Sequence, residues 1–408
     1  MSKEGLEAAR KKMEAAGVAP EAIEVFSHYW EQIHSGDLGL IPEGDIEPLK
    51  DVPRAADLHF SPEAQRAAMR ETVLIKLNGG LGTSMGLEQA KTLLPVREGK
   101  NFLDITAAQV LAAREKFGAD LPLIFMNSYR TNDDTLNHLA RYDDLAVEGV
   151  DLAFLQSQEP RLDAKTLQPV EWEADPEAEW CPPGHGDLYV SLLSSGLLQS
   201  LLDRGYRYAL VSNGDNLGAT PSGELAAWFA ASGAPMAMEV SRRTVNDRKG
   251  GHLARRKDGG LVLRESAQTP PEDQAAFEDI DRHQFFNTNS IWLNLEDLQA
   301  ALVERGGVLG LPLIRNLKKV DPTDPTSPEV IQIETAMGAA IEVFEGAEAI
   351  EVDRSRFLPV KTTNELLLVR SDLYDLDEDA ALVPTTSQTP KVVLDPAYYA
   401  RLEDFEER

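Results

Sequence analysis

A chain of 408 residues that is 42% hydrophobic and 26% charged carries enough apolar material for one large core with smaller attachments. Its 68 acidic against 40 basic residues, a formal charge of −28, argue against non-specific binding to nucleic acid or to an anionic membrane. The one cysteine, Cys181, excludes an intramolecular disulfide and a multi-cysteine metal site, as expected for a reducing compartment, and reads as a structural thiol.

In chain order, Lys3, Glu4 and Glu7 stand where a signal peptide needs an apolar core, and no stretch approaches ~20 uninterrupted apolar residues. A cytoplasmic protein without a membrane segment is expected. Residues 1–60 form an N-terminal helical segment. It has two helices over 1–35, the second placing Ile23, Phe26, Trp30 and Ile33 at helical spacing, and then a glycine- and proline-bearing connector from Ser35 to Pro53. A short helix begins near Ser61.

From Thr72, short β-branched or apolar runs alternate with helical ones, the pattern of an α/β sheet covered by helices, and residues 61–375 are read as the catalytic module. Predicted strands are Val73–Leu77, Leu121–Met126, Leu152–Gln156, Tyr208–Asn213, Met236–Val240 and Phe286–Leu293; predicted helices cover Asp104–Phe117, Asp187–Arg204 and Ser222–Ser232. Two strand-like runs around Lys257-Asp258-Gly259-Gly260 predict an antiparallel ribbon over 252–265, since Asp-Gly favours a hairpin turn. The stretch 157–183, with its prolines and two tryptophans, reads as an excursion at the sheet edge. A helix from Asn364 through Leu373 and a short acidic tail, 376–408, complete the chain.

The segment Leu77-Asn78-Gly79-Gly80-Leu81-Gly82-Thr83-Ser84-Met85-Gly86 follows an apolar strand, so its glycines fall at a strand's carboxyl end, where ligands bind in open α/β sheets. Such a loop brings backbone N–H donors close to phosphate or base, although a simple tight turn has the same composition. It is neither a dinucleotide fingerprint nor a Walker A loop: Met85 stands where the third glycine of the first is required, and Gly99-Lys100 is followed by Asn101 with Leu94 at the first position of the second.

With Lys91 in Ala90-Lys91-Thr92-Leu93-Leu94-Pro95-Val96-Arg97, the loop resembles the signature of sugar nucleotidyltransferases, in the version of the eukaryotic-type UDP-glucose pyrophosphorylase family. Collinear segments agree: those around Gln156, Gly184-His185-Gly186-Asp187, Asn213-Gly214-Asp215-Asn216, Phe286-Asn287-Thr288-Asn289, Glu334 and Arg354 to Thr363. The resemblance spans about residues 70 to 375. It implies a Rossmann-like, GT-A-like mixed sheet flanked by helices, and uridylyl transfer from UTP to glucose 1-phosphate with Mg²⁺, giving UDP-glucose and pyrophosphate. Two departures stand out. Leu87-Glu88-Gln89-Ala90 replaces the family's more usual Cys-Lys-Gly-Pro, and the C-terminal β-helix of longer relatives has no counterpart in this sequence, so a monomer or small oligomer is expected.

By resemblance, UTP lies against Leu77, Asn78, Gly79, Gly80, Lys91, Gln156, Gly184, Asp215 and Lys361. Asp215 holds the metal, a hard carboxylate suited to a cation that keeps waters and bridges phosphates, although an Asx turn would use the same residue. Lys91 and Lys361 are the catalytic cations. His185, Asn213, Asn289 and Glu334 meet the sugar, while Glu334 also stands where it would cap a helix from Thr335 to Phe344. Two other readings remain open here: uridylyl transfer to another sugar 1-phosphate, such as galactose or an N-acetylhexosamine, and a silent nucleotide-binding regulator. A substrate panel separates the first, and pyrophosphate release the second.

Overall fold

The computed structural model describes residues 3–37, 39–322, 324–386 and 390–408. Met1, Ser2, Leu38 and residues 387–389 of the two terminal segments read from the sequence lie outside them.

Among the described residues, ten strands form one mixed sheet. Its backbone path runs Ile46–Pro48, His252–Arg256, Phe285–Asn294, Tyr208–Asn213, Thr72–Asn78, Leu123–Asn127 and Ala153–Leu155. Thr72–Asn78 pairs in parallel with both Tyr208–Asn213 and Leu123–Asn127, which itself pairs in parallel with Ala153–Leu155. Phe285–Asn294 runs antiparallel to Tyr208–Asn213 and also to Met236–Arg242. The central strands are buried on both faces. Val73, Ile75, Val211 and Ile291 belong to one apolar cluster, and Leu74, Leu123, Leu210 and Trp292 to the other. Continuous apolar runs therefore mark these strands in the sequence, as burial on both faces requires.

Each predicted strand is present within two residues of its expected bounds, and the Asp258-Gly259 turn joins His252–Arg256 to Leu261–Arg264 as an antiparallel ribbon. Three expectations change. The helix expected over Asp187–Arg204 is two helices, Leu188–Ser194 and Leu197–Asp203, because Gly196 adopts φ 74° between them. The helix after Asn364 covers Thr363–Arg370, short of Leu373. The segment after Glu334 is a 3-10 turn over Met337–Glu342, and Glu334 itself lies in the strand Glu329–Thr335, so it caps no helix.

The helices Glu4–Ala15 and Pro20–Ser35 pack on a second sheet made by Leu313–Lys319, Glu329–Thr335 and Leu162–Asp163. Ile23, Phe26, Trp30 and Ile33 are buried there against Leu162, Leu313, Ile331 and Ile333, and the Trp30 indole donates to the Leu167 carbonyl at 3.0 Å. A short hairpin, Tyr374–Leu376 with Leu382–Pro384, leads into the tail 376–408, which carries the helices Pro396–Tyr399 and Leu402–Glu406. No helix among the described residues is long and apolar enough to cross a membrane.

One buried cluster should make the fold sensitive to acid. The His252 ring stacks on His283 with centroids 3.9 Å apart, and neither nitrogen of His252 has a hydrogen-bond partner among the described residues. Burial first, then His283 and the charges of Arg243 and Arg264, push the His252 pKa well down. Burial also lowers His283, although Glu43 at 3.0 Å opposes the shift. With folded pKa values below the unfolded value of about 6.5, the unfolded chain takes up protons that the native protein refuses. The contribution of this pair to stability is therefore complete above that pH and falls below it, by at most about 1.4 kcal/mol per pH unit for each such proton. Urea midpoints measured from pH 7.5 to 5.5 should fall in the wild type and fall less steeply in His252→Phe. Parallel curves would show that this histidine does not set the acid limit.

Candidate active site

The parallel strands bring their carboxyl ends to one edge. Asn213 pairs with Leu77, Leu77 with Met126, and Asn127 with Leu155, so the loops after Asn78, Asn213 and Leu155 are neighbours. The glycine loop is closed by three backbone bonds: Lys91 N to Gly80 O at 3.1 Å, Met85 N to Gly82 O at 2.9 Å, and Gly214 N to Leu77 O at 2.8 Å. Asn78 is spent inside the fold. Its amide donates to Asn127 Oδ1 and Thr135 Oγ1, each at 2.8 Å, and accepts from Thr92 Oγ1 at 2.6 Å. Recognition by Leu77–Gly80 is thus left to the backbone.

A Cβ at Gly79 would lie 2.9 Å from Gln156 Nε2, which explains the glycine: the amide of Gln156 stands directly over this loop. Among the described residues the Gln156 side chain makes no hydrogen bond, so its donor and acceptor remain available, as a strand-end structural amide's would not. Uracil presents one N–H between two carbonyls, and an amide with backbone N–H and C=O groups complements that edge.

Gly184, with φ 79°, turns the next segment where any Cβ would meet the Thr335 carbonyl at 2.6 Å. This places His185 so that its Nδ1 accepts from Met337 N at 2.9 Å. Burial lowers the His185 pKa to about 4, so at neutral pH the ring is uncharged and carries its proton on Nε2, as a hydrogen-bond donor. Asp187 ties this segment to the Gln156 loop by accepting from Ser157 N and Ser191 Oγ, both at 2.6 Å. Glu334 lies against Gly184 on its strand, with its carboxylate 3.9 Å from Lys318.

At the end of Tyr208–Asn213, Asp215 meets Lys91 at 2.5 Å, with side chains 14% and 17% exposed. Neither residue is a solvated surface charge. Asn216 reaches the far end of the chain: its Oδ1 accepts from Leu358 N at 2.8 Å and its Nδ2 donates to Arg356 O at 3.1 Å. That clamp holds the segment carrying Lys361 beside Asp215. Across the sheet, the pairing of Met236–Arg242 with Phe285–Asn294 shifts register between Glu239 and Val240, leaving Thr288 and Asn289 as a bulge. Asn289 has φ 55° and accepts from Asn287 Nδ2 at 3.0 Å.

Three residues outside the sequence-based set belong to this site. Glu265, after the ribbon, bonds to Asn287 and feels the charge of Lys361, and burial raises its pKa. Lys76 is fully buried, feels the charge of Asp215, and donates to Ser212 Oγ at 2.8 Å and Ala219 O at 3.2 Å; burial lowers its pKa to about 7. Arg356 forms a two-point bond with buried Glu239 at 2.7 and 2.9 Å, fixing the start of the Lys361 segment to the sheet. A charged residue inside an otherwise apolar strand, as at Lys76, is the one signal of this kind visible in the sequence. Cys181 is buried with its thiol pKa pushed up, which agrees with a structural role.

An open α/β sheet whose strand ends gather a glycine-rich backbone loop, a lysine–aspartate pair and a clamped second lysine is the architecture of a nucleotidyltransferase. This chain belongs to the UTP–glucose-1-phosphate uridylyltransferase family, whose model matches residues 23–408. The UTP–glucose-1-phosphate uridylyltransferase of Solanum tuberosum is 38% identical over 90% of this chain and 75% of its own length. That of Saccharomyces cerevisiae is 42% identical over 76% of this chain and 61% of its own. Among solved structures, a mutant Leishmania major UDP-glucose pyrophosphorylase in complex with UDP-glucose superposes with a TM-score of 0.94 at 42% identity. It covers all of this chain and 87% of the other. The Trypanosoma brucei enzyme gives 0.92 at 44% identity, covering 98% and 87%.

Proposed function

We propose that this chain transfers the uridylyl group of UTP to glucose 1-phosphate, forming UDP-glucose and pyrophosphate. The observation that carries the reading is the convergence, on one sheet edge, of a base-complementary amide over Gly79 with the Lys91–Asp215 pair and the Lys361 segment clamped by Asn216. A phosphate oxygen of the sugar phosphate bonds to the α-phosphorus of UTP as the bond to the bridging oxygen breaks, and that oxygen leaves with its electron pair on pyrophosphate. A sugar phosphate with a second pKa of about 6 is already largely dianionic at pH 7, so no general base is required. Alignment and charge neutralisation are what remain for the protein.

Leu77–Gly80, Gln156 and Gly184 hold the uracil end. Lys91 lies along the UTP phosphates, and Lys361 approaches from the opposite segment, toward the sugar phosphate and the α-phosphoryl group. Two cations on separate arms reduce the repulsion between two anions as their oxygens close. His185 donates through Nε2, and Asn213, Asn289, Glu334 and Glu265 are the polar partners available to sugar hydroxyls. Among the described residues no group of three or more His, Cys, Asp or Glu is gathered for a metal. A single carboxylate, Asp215, suits Mg²⁺, which keeps several waters and draws its other ligands from phosphate oxygens. Bound there, the ion would offset charge on the triphosphate. The lone, buried Cys181 supports a cytoplasmic location.

Formation of UDP-glucose by the purified protein, followed with UTP, glucose 1-phosphate and Mg²⁺ and compared with galactose and N-acetylglucosamine 1-phosphates, tests the reading. Turnover of another sugar in preference would reject it. Asn289→Ala should raise KM for glucose 1-phosphate about 5- to 150-fold, the loss of a hydrogen bond worth about 1–3 kcal/mol, with KM for UTP little changed. Equal weakening of both substrates would instead assign Asn289 to the fold of the bulge.

A further inference from the structure

The tail folds back onto the site. Thr363 Oγ1 donates to the Tyr399 carbonyl at 2.6 Å, Leu394 N donates to Asn364 Oδ1 at 2.8 Å, and Arg370 bonds to Glu406 at 2.6 Å. Leu402 and Phe405 pack against the apolar cluster containing Met85 of the glycine loop, and Val360 and Leu366 on either side of Lys361. Between these anchors the side chain of Arg401 reaches the glycine loop from outside: a Cβ built on Gly86 would lie 3.3 Å from its Nε and 3.5 Å from its Nη2. Among the described residues this guanidinium has no hydrogen-bond or ion-pair partner, in a protein with a formal charge of −28.

We propose that Arg401, delivered by the C-terminal tail to the glycine loop, is a binding residue for the terminal phosphates of UTP and for the pyrophosphate that leaves. The inference rests on the uridylyl-transfer reading and extends it to the leaving-group side. Charge is what that side lacks. Lys91 already neutralises Asp215 at 2.5 Å, and the loop carries Glu88, an acid, three residues before it. The terminal phosphates of UTP are its most charged part, and the planar fork of arginine matches two phosphate oxygens at once. An exposed arginine on a docked tail can close on these oxygens without disturbing the core.

The discriminating probes differ in whether they carry the terminal phosphates, which UTP and pyrophosphate do and UDP-glucose does not. Calorimetric binding of pyrophosphate and of UDP-glucose would be measured for the wild type, Arg401→Ala and Arg401→Lys, alongside KM for UTP. In Arg401→Ala, pyrophosphate affinity and UTP KM should each worsen about tenfold or more, the loss of a charge-assisted bond, while UDP-glucose affinity stays within about twofold. Arg401→Lys should recover part of the loss. Unchanged pyrophosphate affinity would overturn the proposal. So would a parallel fall in UDP-glucose affinity, which would mean that Arg401 only props the loop. Because pyrophosphate binding is read without turnover, a wild type that made no UDP-glucose would reject the transfer reaction while this comparison still decided the role of Arg401.

Discussion

Asp215→Ala should abolish UDP-glucose formation, lowering kcat by at least about 10³-fold, since an ion-held carboxylate supplies several kcal/mol of charge stabilisation in the transition state. Two losses coincide at this position. Among the described residues Asp215 is the one carboxylate paired with Lys91, at 2.5 Å, so its removal leaves that ammonium, only 17% exposed, without its partner. It also removes the protein's hard oxygen ligand for Mg²⁺. Asp215→Asn separates the two, because the amide oxygen still accepts from Lys91 but carries no charge for the ion. If Mg²⁺ is held as inferred, the asparagine variant should be nearly as slow as the alanine variant and should need far more Mg²⁺. Steady-state kinetics across a Mg²⁺ titration, with folding checked by circular dichroism, make the measurement. An alanine variant retaining a tenth of wild-type turnover would remove Asp215 from the metal site.

Lys361→Ala should lower kcat by roughly 10²–10³ while affecting UTP affinity much less, the signature of a contact that strengthens as the new bond forms. The lysine is exposed on the segment between the turn Arg354–Arg356 and the helix Thr363–Arg370, so its truncation opens no cavity, although it withdraws a charge that acts on the buried Glu265 carboxyl. The segment itself is held by other residues. Asn216 binds Leu358 N and Arg356 O, and Arg356 is locked on Glu239. The alanine variant should therefore unfold at the wild-type temperature, and its defect should be chemical. Lys361→Arg should also lose much of the rate, because a planar fork does not take the place of a compact ammonium at a crowded phosphorus. Lys91→Ala should differ by damaging both UTP affinity and kcat, since the triphosphate needs that charge before and during transfer. A Lys361→Ala variant turning over near the wild-type rate would place the transition-state charge elsewhere.

Local pattern carried the sheet strands and the glycine loop because each is a property of consecutive residues. Apolar runs such as Val73–Leu77, broken only by Lys76, are what a strand buried on both faces requires, and Asp258-Gly259 is sufficient for its turn. The hairpin Leu313–Lys319 with Glu329–Thr335 was not legible in this way. Its first strand, Leu-Ile-Arg-Asn-Leu-Lys-Lys, buries only Leu313, so it shows neither alternation nor an apolar run. Glu334 then reads equally well as a cap or a strand residue until the pairing with Ile314 decides.

The sequence by itself determined the chemistry-bearing types and their order: the backbone loop at Leu77–Gly80, the amide Gln156, the carboxylate Asp215 and the lysines 91 and 361. Only the tertiary structure decided what each of them can do. It spent the side chain of Asn78 inside the fold, left that of Gln156 available, made His185 a neutral donor through Met337, and brought Glu265, Lys76 and Arg401 to the same edge. The reason is physical. Hydrogen bonding capacity and pKa depend on burial and on partners more than a hundred residues away, such as Asn216 with Leu358, and those distances are fixed by strand register and packing rather than by any run of neighbouring residues.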